Sequence, residues 1–230
     1  MNQETQEKIA DLKRKNLSSD EFARTVQSWK AEEGSMRITT IKNFVSKEDC
    51  EKIINFFDKQ EFQNFNGASK FIGKTFPWLQ CRSLPHNHED EHIVKIMSSY
   101  RFNATMHARK FFEKELYPEY TDLVVWKNGE DMAVHADSCE MDGTPRDSRG
   151  SSHDWRFGGG VLYLNDDYAG GETYFPKYSI QVRPEVGKLS LFMADWNHMH
   201  GVREISQGKE PVARYTMPIW FTEDYRKSEI

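Results

Sequence analysis

His135-Ala136-Asp137, taken together with His198-Met199-His200-Gly201-Val202, decides how this chain is to be folded. In a strand, residues i and i+2 point to one face, so His135 and Asp137 can share a ligand while Ala136 turns away. A third donor must come from a strand that is adjacent in space but distant in sequence. His198 and His200 both lie far enough along the chain for several strands to fold back. They are themselves two apart, so in a strand they would face the same side, and spacing alone leaves both open. Two imidazoles and one carboxylate suit a non-haem ferrous ion, held on one face with the opposite face free; an all-thiolate set would favour zinc or a cluster.

Further segments follow in order: Leu162-Tyr163-Leu164-Asn165, then Gly170-Gly171-Glu172-Thr173-Tyr174-Phe175-Pro176, then Arg214-Tyr215-Thr216 ahead of Trp220-Phe221. With the histidines and Asp137, this succession resembles the 2-oxoglutarate/Fe(II) dioxygenases, in particular their prolyl 4-hydroxylase-like branch, over roughly residues 36 to 222. The His-Gly-Val at 200–202 matches the segment that carries the distal ligand in that family, so the resemblance implies His135, Asp137 and His200 as the iron ligands. It leaves His198 a surface or hydrogen-bonding role. It also implies 2-oxoglutarate as co-substrate, with dioxygen and with ascorbate as reductant. Tyr163 would donate its hydroxyl to the co-substrate, with Thr173 and Thr216 as lesser contacts. The implied reaction is hydroxylation of an unactivated C–H bond, most readily in a prolyl residue of a peptide or protein, with release of succinate and carbon dioxide.

The co-substrate's distal carboxylate needs a fixed cation, and a guanidinium grips a carboxylate with two parallel hydrogen bonds. Lys209 falls where the family's cation commonly lies, but Gln207-Gly208-Lys209-Glu210-Pro211 reads as a turn. Arg214–Phe221 reads as a strand. Alternation puts Arg214, Thr216 and Trp220 on one face, and Tyr215, Met217, Ile219 and Phe221 on the other. Arg214 is therefore the expected cation. Pro218 within that strand calls for an edge position or a bulge, because proline donates no ladder hydrogen bond.

With 230 residues the chain can bury one sizeable core. Residues 1–34 read as a helical appendage, with Phe22, Val26 and Trp29 at helical spacing and Ser18 and Glu21 placed for a capping box; residues 35–230 form the main domain. An opening strand at 37–44 precedes a helix started by Ser46, whose Cys50, Ile53, Ile54 and Phe57 make an apolar stripe. A second helix is expected over roughly 90–115. From residue 122 short β-rich runs alternate with turn residues, so the fold class is mainly β: a double-stranded β-helix, or jelly roll, with helices on one side.

Net charge is −5, with 31 basic and 36 acidic residues interspersed, which argues against a nucleic-acid surface. Three scattered cysteines indicate neither a disulfide framework nor a zinc site. No apolar run suggests a leader or a membrane span, so a reducing, cytoplasmic setting is expected. The oligomeric state is not written in these features. Residues 138–156 form a polar insertion directly after Asp137, expected to act as a lid or substrate loop. Residues 76–92, with His86, His88 and His92, are expected to be a polar surface loop. Trp78, Trp155 and Trp220 are candidate substrate-contact aromatics. A nucleic-acid demethylase of the same superfamily would resemble a pattern with a second Arg six positions after the first, where Trp220 stands here. A hydroxylase of a free amino acid or metabolite, or a non-catalytic jelly-roll module, are the other readings considered.

Overall fold

The computed structural model describes residues 36–59, 63–64, 74–77, 88–140, 153–208 and 212–229, together with Glu21. The expectations for the appendage at 1–34 (Glu21 apart), for Lys209, for Trp78 and for the central part of the 138–156 insertion lie outside the described residues.

Ser46 caps the first helix, α1 (Lys47–Asp58), by accepting the Asp49 N–H at 3.1 Å, and Glu48 and Asp49 place negative charge at its positive end. Cys50, Ile53, Phe56 and Phe57 are buried along one face, as the apolar stripe requires. The second helix, α2 (His88–Phe112), carries acids in its first turn and Arg109 and Lys110 in its last. His88 and His92 therefore lie on a helix, which corrects the surface-loop reading of that stretch; residues 78–87 are not among those described. Local helical preference begins two residues before the apolar pattern becomes visible.

The strands are β1 (Ile38–Ile41), β2 (Gln63–Asn64), β3 (Lys74–Pro77), β4 (Tyr117–Lys127), β5 (Met132–His135), β6 (Arg156–Tyr163), β7 (Tyr168–Ala169), β8 (Thr173–Phe175), β9 (Ile180–Val182), β10 (Leu189–Met193), β11 (His200–Val202), β12 (Ser206–Gly208) and β13 (Ala213–Thr222). The β region thus opens at Tyr117, earlier than the sequence pattern suggested, because the Tyr117–Asp122 stretch pairs with the end of β13. One antiparallel sheet runs β1-β10-β6-β13-β4-β3-β2, the other β5-β11-β8-β9, and β12-β7 make a separate ribbon.

Alternation decides what each face of the larger sheet buries. Leu123, Leu162, Leu189, Leu191, Met217, Ile219 and Phe221 face outward and pack under α1 and α2 in one core with Ile53, Phe57, Met97 and Phe112. On the inner face Tyr163 and Phe192 meet Phe175 and Val182 of the smaller sheet. Two facing sheets with helices on one side form the expected jelly roll. β13 shows the expected two faces, yet it is central, between β6 and β4, so Pro218 has no edge position. The ladder to β4 runs from Ala213 to Thr216 and resumes at Ile219, with a register shift between Ile219 and Phe221. Pro218 is accommodated by this interruption while staying in register with Val161 on the β6 side.

Candidate metal centre and carboxylate pocket

Register brings the histidines together. β5 and β11 are antiparallel neighbours with His135 directly opposite His200, and their rings lie 4.7 Å apart. β5 ends at His135; the chain then bends through buried Ala136 and returns Asp137 to the same point, with Asp137 Oδ1 3.6 Å from His135 Nε2 and Oδ2 3.9 Å from His200 Nε2. The donor atoms of all three residues fall within 4.8 Å of one another, close enough to hold one metal ion.

Each ring is oriented through its other nitrogen. His135 Nδ1 lies 3.0 Å from the Ala133 carbonyl and His200 Nδ1 3.1 Å from the His198 carbonyl. With Nδ1–H donated to a carbonyl, Nε2 is left as a lone-pair donor aimed at the shared point. Burial would raise the Asp137 pKa, but His200, His135 and Arg156 hold it well below the usual carboxylate range. Burial pushes His200 down to about 4, with Asp137 opposing and His135 adding to the fall. Near neutral pH the trio is one anion and a neutral imidazole at its buried corner, the ionisation state that metal ligation requires. Asp137 Oδ2 is shielded and accepts no hydrogen bond among the described residues, an acceptor left for a cation. Gly159 makes room for it: a Cβ there would stand 3.3 Å from Asp137 Oδ2 and 3.2 Å from the Phe192 ring.

His198 is not on the strand with His200. It ends a 3-10 turn, Trp196–His198, capped by Asp195, and β11 begins only at His200. Its Nδ1 lies 2.6 Å from Asp195 Oδ1, and its Nε2 accepts the Arg37 backbone N–H at 3.1 Å. The strand condition under which the two histidines would share a face is not met at His198; the Asp195 cap turns its side chain into contacts of its own, in a buried position and not at the surface.

Deeper in the barrel sits Arg214, 1% exposed on β13. Its guanidinium lies 5.0 Å from the Trp126 ring centre and 5.4 Å from that of Tyr163. No carboxylate pairs with it among the described residues, and its Nε is buried without an acceptor. A buried, permanently charged group with nothing to answer it is costly unless a ligand supplies the anion. The Tyr163 hydroxyl and Thr173 Oγ1 share a buried hydrogen bond of 2.8 Å across the two sheets, and Thr216 is buried opposite Tyr163 in the β13–β6 register. Gly171 closes on the same guanidinium: its φ is +68°, and a Cβ would come within 2.9 Å of Arg214 Cδ, so only glycine suits the turn and the approach.

The two tryptophans stand apart from this pocket in their contacts. Trp220 lies under the Arg156 guanidinium at 4.5 Å and against Tyr120. Trp155 donates to Glu119 Oε1 at 3.2 Å and carries Lys227 over its ring, while Glu119 Oε2 accepts from Arg156 Nε at 2.8 Å. Trp126, Arg156 and Glu119 carry no local signal in the sequence; strand register alone brings them here.

Residues 114–222 match the 2OG-Fe(II) oxygenase superfamily. Prolyl 3-hydroxylase 2 of Gallus gallus is 27% identical over 229 residues, covering 85% of this chain and 32% of that protein. The chain spans no more than about a third of the length of the curated relatives it matches. Among solved structures, the viral collagen prolyl hydroxylase of Paramecium Bursaria Chlorella virus-1, in its 2OG complex, superposes with a TM-score of 0.54 at 18% identity, covering 84% of this chain and 99% of that one. A prolyl hydroxylase from Trichoplax adhaerens, bound to a hypoxia inducible factor peptide fragment, gives 0.60 at 15% identity, covering 91% and 92%. These likenesses share the jelly roll described above. The chain carries a domain of the 2OG-Fe(II) oxygenase superfamily, spanning residues 114–222.

Proposed function

We propose that this chain is an Fe(II)- and 2-oxoglutarate-dependent dioxygenase that hydroxylates a prolyl residue in a peptide or protein. The observation that carries the reading is a pair of unanswered sites within one barrel. Three clustered donors are set for a cation, and buried Arg214 lacks an anion among the described residues. His135, Asp137 and His200 would hold the iron. Arg214, Tyr163, Thr173 and Thr216 would hold the co-substrate's distal carboxylate. Iron and 2-oxoglutarate together supply the oxidising power for C–H hydroxylation, with dioxygen consumed and succinate and carbon dioxide released.

The chain's own residues do the rest. The Nδ1 contacts of His135 and His200 fix their tautomers, Asp137 stays ionised, and the packed walls of Tyr163, Phe175 and Phe192 keep water from the centre. Trp220, stacked under Arg156, and Trp155 are the aromatics we assign to the substrate side. The relative with a bound peptide, cited above, supports a peptide substrate. We further read residues 1–34 as a separate appendage to a domain at 35–230, ascorbate as the reductant, and a reducing, cytoplasmic setting. No helix among the described residues is long and apolar enough to cross a membrane.

The test is succinate release with Fe(II), 2-oxoglutarate and ascorbate, in the presence of proline-containing peptides or of free amino acids. Peptide-stimulated release, with one oxygen atom gained on a prolyl residue, is the expected result. Stimulation by free amino acids alone would overturn the substrate, and no 2-oxoglutarate turnover with any of them would overturn the activity.

A further inference from the structure

Tyr168 opens β7, the short strand that pairs with β12 in the ribbon outside the two main sheets. Its hydroxyl is shielded from solvent, yet it makes no hydrogen bond among the described residues. Its ring packs at Gly171, where an added Cβ would meet Tyr168 Cε2 and Arg214 Cδ at 2.9 Å each. Ring and guanidinium stem therefore converge on one point of backbone.

Burial raises the Tyr168 pKa, and among the charges acting on the hydroxyl Arg214 comes first and Tyr163 second. The oxygen thus keeps its proton near neutral pH and remains a donor. Arg214 Nε is a second buried donor without an acceptor. Tyr163 cannot relieve them readily, since its hydroxyl is already engaged with Thr173 Oγ1. A guanidinium has only donors to offer, and a carboxylate has about four acceptor positions, so one anion could answer Arg214 and Tyr168 together.

We propose that Tyr168 donates its hydroxyl to the distal carboxylate of 2-oxoglutarate, a further attachment point beside Arg214 and Tyr163. The β7–β12 ribbon thereby walls the far end of the co-substrate pocket. The assignment rests on the reading of this chain as 2-oxoglutarate-dependent. It makes Tyr168 a binding residue that selects for the second carboxylate of the co-substrate, while the 2-oxo acid end is left to the metal centre.

Tyr168→Phe removes only the oxygen and keeps the ring against Gly171. The full chain, loaded with Fe(II) under anaerobic conditions, is titrated with 2-oxoglutarate and with 2-oxobutyrate, which keeps the 2-oxo acid and lacks the distal carboxylate. The dissociation constant of Tyr168→Phe for 2-oxoglutarate should rise about tenfold or more, the usual loss for one hydrogen bond to a charged group. Its affinity for 2-oxobutyrate and the melting temperature of the ligand-free protein should match wild type. Unchanged 2-oxoglutarate binding would overturn the proposal, and so would a parallel loss for both acids, which marks a merely structural role. Wild-type protein that fails to bind 2-oxoglutarate at all would overturn the co-substrate reading itself, a result distinct from either.

Discussion

Replacing Arg214 by Met separates what the residue does for the fold from what it does for the ligand. Met fills a similar elongated space but carries no charge. In the ligand-free protein the guanidinium is 1% exposed and has no carboxylate partner among the described residues, so its removal relieves a desolvated cation. Ligand-free stability should therefore hold or rise. Binding should move the other way. A two-pronged grip on a carboxylate is worth about 3–6 kcal/mol if its two bonds add, and about 3 kcal/mol is the safer figure. That corresponds to a dissociation constant raised on the order of a hundredfold. At a co-substrate concentration of about 100 times the wild-type dissociation constant, ligand stabilises the protein by about 2.7 kcal/mol; a hundredfold weaker variant retains about 0.4 kcal/mol. For a chain of this size the difference is about 5–9 °C of ligand-induced shift in Tm. Thermal melts of the metal-loaded protein, with and without 2-oxoglutarate, read both quantities. A full ligand shift in Arg214→Met would refute the assignment. Lys209→Ala should keep the shift, because Gln207-Gly208-Lys209-Glu210-Pro211 reads in the sequence as a turn, and an ion pair in a solvated turn is worth about 0–1 kcal/mol.

Ala at His135, Asp137 or His200 should abolish stoichiometric Fe(II) binding in calorimetric titration. His198→Ala should retain it, since the contact to His200 is made by the His198 backbone carbonyl; metal loss there would contradict the ligand set. Gly159→Val should weaken metal binding roughly tenfold by crowding Asp137 and Phe192, an overpacking cost of about 1–3 kcal/mol; unaltered affinity would mean Asp137 is not where it is placed. Ser46→Ala removes the α1 cap and should cost about 1 kcal/mol, a drop of about 2–4 °C in Tm, with metal affinity unchanged.

Much of the site could be read from residues because its chemistry is tied to strand periodicity. Arg214 alternates with the outward Tyr215, Met217 and Ile219, so it could be given a face before any pairing was known; Asp137 does meet His135, but from a bend past the end of β5 and not by the strand alternation expected to pair them. Spacing alone left His198 and His200 both open because the Asp195 cap that starts a 3-10 turn at Trp196 is a local hydrogen bond that alternation does not reveal. Pro218 was expected at an edge or a bulge; β13 is central, so of the two only the irregular ladder to β4 serves, and which of them holds depends on sheet order, which no local pattern encodes. The same holds for Tyr168, Trp126 and Arg156. They reach their places around Arg214 and Asp137 through sheet order and ribbon placement, in which β6 lies between β10 and β13 and β7 pairs with β12. Helix α2 begins earlier than its apolar spacing indicated, because its first turn is acidic, with Glu89, Asp90 and Glu91, and holds no apolar residue.

The central claim is that one barrel binds both iron and 2-oxoglutarate, at His135-Asp137-His200 and at Arg214. Anaerobic titration of the protein with Fe(II), followed by 2-oxoglutarate, tests it most directly by visible absorbance. The account predicts a weak charge-transfer band that saturates at one 2-oxoglutarate per chain, is absent in His200→Ala, and needs far higher 2-oxoglutarate in Arg214→Met. No band in the wild-type protein at saturating Fe(II), or a band that survives His200→Ala, would contradict it.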